Sequence, residues 1–128
     1  MSAGTGVRDM RRIKADYEQL GNFMDVLGRQ AGLLARDLEA RSYPESAGKI
    51  KLVARRLENI NGFCANLGNT TPGLDASNLK KIEAEWKVCH RLAKNTTGLG
   101  PFGSRFQALL EAMVQADVFL KGLLAGAR

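Results

Sequence analysis

Apolar residues recur along this chain at alternating steps of three and four, and that regularity constrains its fold more than any other feature. Met10, Ile13, Tyr17, Leu20, Met24, Leu27, Ala31, Leu34 and Leu38 form the longest run. Such spacing keeps every member on one face of an α-helix, where all can enter a common core. Ile50, Val53, Leu57, Ile60, Cys64 and Leu67 repeat the pattern, as do Leu79, Ile82, Trp86, Cys89 and Ala93. A fourth run is Phe102, Phe106, Leu109, Met113, Ala116, Leu120 and Leu123. Nothing alternates with period two over a useful length, and the scarcity of β-branched and aromatic residues argues against an all-β fold. The pattern predicts four helices, near 8–41, 44–67, 76–94 and 104–126. Short connections favour antiparallel neighbours. The expected fold is all-α: an antiparallel up-down four-helix bundle with a long first helix, one domain over residues 1–128. At 128 residues the chain has room for one continuous core.

The helix boundaries carry their own signals. Ser42-Tyr43-Pro44-Glu45 and Ser104-Arg105-Phe106-Gln107 have the capping-box pattern. Gly68 suits the left-handed position after the second helix, and Asp75 is placed to cap the third. Gly21, Gly28 and Ala35 recur every seven residues beside the first stripe. A helical glycine costs about 1 kcal/mol against alanine, so Gly21, Gly28 and Gly32 point to close approach of another backbone. The first helix is long enough for its opening turns to overhang the hairpin that it makes with the second.

Several classes fall away. No run of eighteen apolar residues exists, so no helix is expected to span a membrane. The opening MSAGTGVRDMRR lacks an apolar core segment, so no signal peptide is expected. Cys64 and Cys89 fit neither a disulfide framework nor zinc spacing, and both fall on core stripes. A reduced, cytoplasmic protein follows. His90 is the only histidine, which leaves no His-based metal cluster; its ring is expected to stack on Trp86, four residues back. Gly98-Leu99-Gly100-Pro101-Phe102-Gly103 spells G-x-G-x-x-G, but the dinucleotide fingerprint needs a preceding strand and here a helix precedes it. Two readings of that loop stay open: a flexible connection, or backbone amides holding a phosphate beside Arg105. No paired acids, nucleophile elbow or Glu-x-x-His motif appears, so neither catalysis, a cofactor, a metal nor a small-molecule substrate is expected.

Charge is what remains. The chain carries 19 Lys and Arg against 13 Asp and Glu, a net charge of +6. The second and third helices hold most of the excess, in Lys49, Lys51, Arg55, Arg56, Lys80, Lys81, Lys87, Arg91 and Lys94. Arg8, Arg11, Arg12 and Lys14 add a cluster at the start of the first helix. Basic helix faces bind polyanion backbones by releasing counterions, without reading bases. These thirteen residues are the expected nucleic-acid contacts. The fourth helix has more apolar residues than one bundle face needs, and Val114, Val118 and Phe119 are the expected interface with other subunits or a second copy.

Small size, an all-α pattern, a positive surface and the lack of catalytic groups together resemble the small α-helical subunits of multi-subunit CRISPR effector complexes. The resemblance is one of architecture over the whole chain. It implies a non-catalytic subunit that packs into a nucleoprotein assembly and steadies a duplex or displaced strand, with basic groups on the backbone and the fourth helix on a neighbour. Two other readings stand beside it. One is a helical adaptor or secretion-type chaperone that holds a partner helix; the other is a plasmid or phage DNA-binding accessory factor.

Overall fold

The computed structural model describes residues 10–67 and 72–127. They form α1 (Met10–Ala40), α2 (Pro44–Leu67), α3 (Pro72–Lys94) and α4 (Gly103–Ala127), with a 3-10 turn at Gly100–Phe102 leading into α4. No strand occurs among the described residues. α1 and α3 each pack against both α2 and α4, and meet each other only across the diagonal.

Four sets of neighbours fix the directions. Gly21 of α1 lies against Asn61 and Cys64 of α2, and Gly28 against Leu57 and Ala54. Arg56 of α2 pairs with Glu85 of α3, and Cys89 of α3 lies against the Val53 carbonyl of α2. Trp86 of α3 bonds Asp117 of α4. Phe23 and Asp37 of α1 meet Phe119 and Arg105 of α4. Numbers rise on one helix as they fall on its neighbour, so the molecule is an antiparallel up-down four-helix bundle.

The core is made of the periodic stripes. Ile13 through Leu38 on α1, Ile50 through Cys64 on α2, Leu79 through Ala93 on α3 and Phe106 through Leu123 on α4 are buried at every stripe position. Phe102 is half-buried. The side chains of Met10 and Leu67 lie outside the described residues. α1 and α2 are the most closely packed pair. A Cβ on Gly21 would sit 3.2 Å from Asn61 Oδ1 and 3.5 Å from Cys64 Cβ. One on Gly28 would sit 3.7 Å from Leu57 Cβ, whereas Gly32 faces open space. Close approach therefore accounts for Gly21 alone: a Cβ at Gly28 would make ordinary contact, and one at Gly32 would meet nothing.

The helix ends differ from the sequence expectations in instructive ways. Ser42 does not cap α2; its φ of 67° puts it in the left-handed region at the end of α1. The Tyr43 amide donates to the Leu38 carbonyl and the Ser42 amide to that of Glu39, the paired bonds of a Schellman turn. The helix-ending role thus outcompetes the capping role at Ser42. α3 begins at Pro72, not near 76, because proline at the first helical position needs no amide partner. Asp75 falls inside that first turn, where it is buried and accepts a 2.8 Å hydrogen bond from the Tyr17 hydroxyl. α4 begins at Gly103, continuing from the 3-10 turn, so Ser104 lies within the helix and is no cap. α1 has 31 residues, yet Ile13 is fully buried, so its opening turns are covered on the apolar face. Gly68 and Arg8 lie outside the described residues.

The α1–α2 corner and the loop before α4 lock together at one end of the bundle. Ser46 Oγ lies 2.9 Å from the Thr97 carbonyl and 3.0 Å from that of Gly98. Gly98 and Gly100 have φ of 73° and 54°. The Tyr43 ring presses on Gly100 and meets Phe102 edge-on. Arg105 bonds Asp37 at 2.6 Å and lies over the Phe102 ring, so it is engaged within the fold. The glycine run is therefore a packed turn rather than a flexible connection, and the Arg105 beside it is engaged by Asp37.

Candidate nucleic-acid interface

α3 presents the most ordered array of charge. Lys80, Lys87, Arg91 and Lys94 are all exposed. At 100° per residue they fall within an arc of about 60°, on a flank turned roughly 110° from the buried Trp86, and they extend about 21 Å along the axis. Lys87 has a neighbour in Glu83 at 3.8 Å. No carboxylate of the described residues lies within ion-pair distance of Lys80, Arg91 or Lys94.

This flank faces α4. Trp86 Nε1 donates to Asp117 Oδ1 at 2.9 Å, and Lys121 Nζ sits 2.9 Å from Asp117 Oδ2. Burial pushes the Asp117 carboxyl up, but the hydrogen bonds from Lys121 and Trp86 outweigh it and hold the group below its ordinary value. Asp117 is therefore committed to structure. His90 stacks on Trp86 with ring centroids 5.6 Å apart. Burial first, and then Lys94 and Lys121 against the opposing pull of Asp117, hold its imidazole below the ordinary histidine value. Trp86 is buried, so the flank offers cations without an exposed tryptophan face on which a base could stack.

The other expected contacts are dispersed. On α2, Lys51 pairs with Glu39 toward α1. Arg56 turns toward α3 and is half-buried in its 2.7 Å pair with Glu85. Arg55 is exposed on the outer side and Lys49 lies on the flank toward α3. Lys81 of α3 belongs to that same α2 side, away from its neighbour Lys80. Arg11, Arg12 and Lys14 are exposed at the end of the bundle where α3 begins, with Arg12 beside Asp16. Among the described residues only the α3 set makes a continuous stripe.

The expected interface on α4 is likewise divided. Val114 and Val118 are 49% and 64% exposed, on the outer face of α4. Phe119 lies about 100° round the helix, half-buried against Phe23 with centroids 5.4 Å apart. It contributes to the joint between α1 and α4 within the chain. Of the further exposed apolar residues, Val26, Leu33, Leu52, Phe63, Leu74 and Val88, sequence reasoning did not join Leu52, Phe63 and Val88 into one surface. They fall outside the core stripes, and only the register between α2 and α3 brings them together.

Among the described residues no group of three or more His, Cys, Asp or Glu side chains could hold a metal ion, and no helix is long and apolar enough to cross a membrane. Cys64 and Cys89 are free and buried, and burial pushes both thiols up to about 12. Comparison with protein-family models, curated proteins and solved structures finds no match to this chain.

Proposed function

We propose that this chain is a non-catalytic accessory subunit that grips nucleic-acid phosphates, independently of sequence, through the exposed flank of α3. The observation that carries this reading is the Lys80–Lys87–Arg91–Lys94 stripe. Exposed cations held in a line by a helix release counterions from a polyanion, and the Arg91 guanidinium can meet a phosphate with two parallel bonds. Elsewhere on the bundle several acids pair with neighbouring bases, as in Asp25–Arg29, Asp37–Arg105 and Glu39–Lys51. Buried thiols suit a reducing, cytoplasmic setting. The role is that of a small helical subunit steadying a strand or duplex within an assembly, as the resemblance to CRISPR small subunits implies.

Fluorescence anisotropy with labelled duplexes of unrelated sequence tests the reading. Affinity should fall in the sequence-independent range, with Kd on the order of 10⁻⁴–10⁻⁶ M. The double variant Arg91→Glu, Lys94→Glu should bind at least about tenfold more weakly, a loss of roughly 1.4 kcal/mol. Arg29→Glu, on an exposed face of α1, should bind as the parent does. Equal affinity of parent and double variant would remove α3 from the contact surface.

A further inference from the structure

α3 carries a second stripe, on its opposite flank. Lys81, Glu85, Val88 and Leu92 recur at steps of four, three and four, and so do Leu52, Arg56, Asn59 and Phe63 on α2. The Arg56–Glu85 pair joins the middles of the two stripes. They therefore border one groove, about 16 Å long from Leu52 to Phe63 by the helical rise. Its apolar members are open to solvent: Leu52 is 50% exposed, Phe63 40% and Val88 37%. Beside Phe63 the groove deepens into a depression of about 160 Å³ lined by Asn59, Ile60, Phe63, Lys81, Ile82 and Glu85. Ile60 and Ile82 are core residues, so its floor is apolar, while Lys81 stands exposed at its rim.

The chemistry of the groove selects its occupant. A depression with an apolar floor rewards an inserted apolar side chain, which a nucleic-acid backbone lacks. Apolar positions three helical turns apart match the i, i+4, i+7, i+11 anchors of a helix lying along the groove. The border is positive. Lys49 and Lys81 have no carboxylate of the described residues within ion-pair distance, Glu85 is already engaged by Arg56, and the exposed Glu45 lies one turn beyond Lys49. That charge attracts an acidic helix and repels a basic one.

We propose that the α2–α3 groove docks an acidic amphipathic helix of a partner protein. One apolar side chain of that helix seats in the Ile60–Phe63–Ile82 depression, and its flanking carboxylates meet Lys81 at one end of the groove and Lys49 at the other. The site is separate from the Lys80–Lys94 stripe, and it stands whether or not that stripe binds nucleic acid.

The probe is a synthetic helix of roughly 18 residues, about 27 Å long, with leucines at the anchor spacing and glutamates flanking them. Its control is a twin with lysine at every glutamate. Titrated against the full chain by anisotropy, the acidic helix should bind saturably and the basic twin at least about tenfold more weakly. Phe63→Ser should weaken the acidic helix by about tenfold or more. Lys81→Glu, at an exposed position that leaves the core intact, should weaken the acidic helix and strengthen its basic twin. This charge swap keeps the test decisive if Phe63→Ser lowers the helical signal. Absent binding, equal binding of the twins, or an unchanged affinity in Lys81→Glu overturns the proposal. So does a duplex whose own affinity falls in both variants, which puts nucleic acid in the groove. Sedimentation showing a dimer that both variants dissolve overturns it as well, since a second copy would then be the occupant.

Discussion

Replacing Gly100 by alanine tests how the loop before α4 is built. A Cβ there would lie 2.3 Å from Tyr43 Oη, 2.8 Å from Cζ and 3.0 Å from Cε1. The backbone φ of 54° is also one that a side chain disfavours, at about 1 kcal/mol. Tyr43 has little room to yield, because its half-buried ring meets Phe102 edge-on at 6.2 Å. Overpacking of this kind costs about 1–3 kcal/mol. The two contributions together give about 2–4 kcal/mol, or roughly 10 °C in Tm for a chain of this size. Thermal unfolding followed by far-UV circular dichroism reads the shift. In a Tyr43→Ala background the collision is gone, and the same substitution should cost only about 1 kcal/mol, a coupling of about 1–3 kcal/mol. A Gly100→Ala protein that melts with its parent, or an equal loss in both backgrounds, would refute the reasoning and reopen the glycine run as a free loop.

Three further outcomes follow from particular residues. Ser42→Gly should stabilise the fold by about 0.5–1 kcal/mol in chemical denaturation, since it relieves a left-handed backbone in a Schellman turn; a destabilised variant would mean that the serine side chain has a role there. With thiols pushed up to about 12 by burial, Cys64 and Cys89 should resist a thiol reagent in the folded chain and react on unfolding; rapid modification of native protein would contradict the packing. The His90 imidazole sits below its ordinary value, so the folded state disfavours its protonation and stability should fall as pH drops below the unfolded-state value of about 6.5. His90→Gln should lose less stability than the parent between about pH 7 and pH 5, and an equal loss would assign the pH dependence to other groups.

The fold was legible because the apolar stripes are long and unbroken: each described stripe residue from Ile13 to Leu123 is buried, apart from the half-covered Phe102. Helix ends were less legible, because the same residue types serve two purposes. Ser42 reads as a cap and acts as a helix terminator, and Asp75 reads as a cap and acts as an internal acceptor for Tyr17. The candidate site was legible in part. Lys80, Lys87, Arg91 and Lys94 share one helix, so sequence spacing alone puts them in line. Lys51 and Arg56 looked equivalent to them, but which carboxylate a basic group meets depends on the neighbouring helix, and Glu39 and Glu85 are supplied by tertiary register. The same register sets Val88 of α3 beside the α2 stripe that holds Leu52 and Phe63. Phe119 was expected to face a partner and instead half-covers Phe23, because α4 turns that flank toward α1.

The salt dependence of duplex binding tests the central claim most directly. Each phosphate that a cation neutralises adds about 0.9 to the steepness of log Kobs against log salt on B-DNA, so a stripe of four cations predicts a slope of about −3 to −4. The Arg91→Glu, Lys94→Glu variant should flatten it by about 2, with the helical signal unchanged. A parent slope near zero, or the same slope in parent and variant, would contradict a phosphate grip by α3.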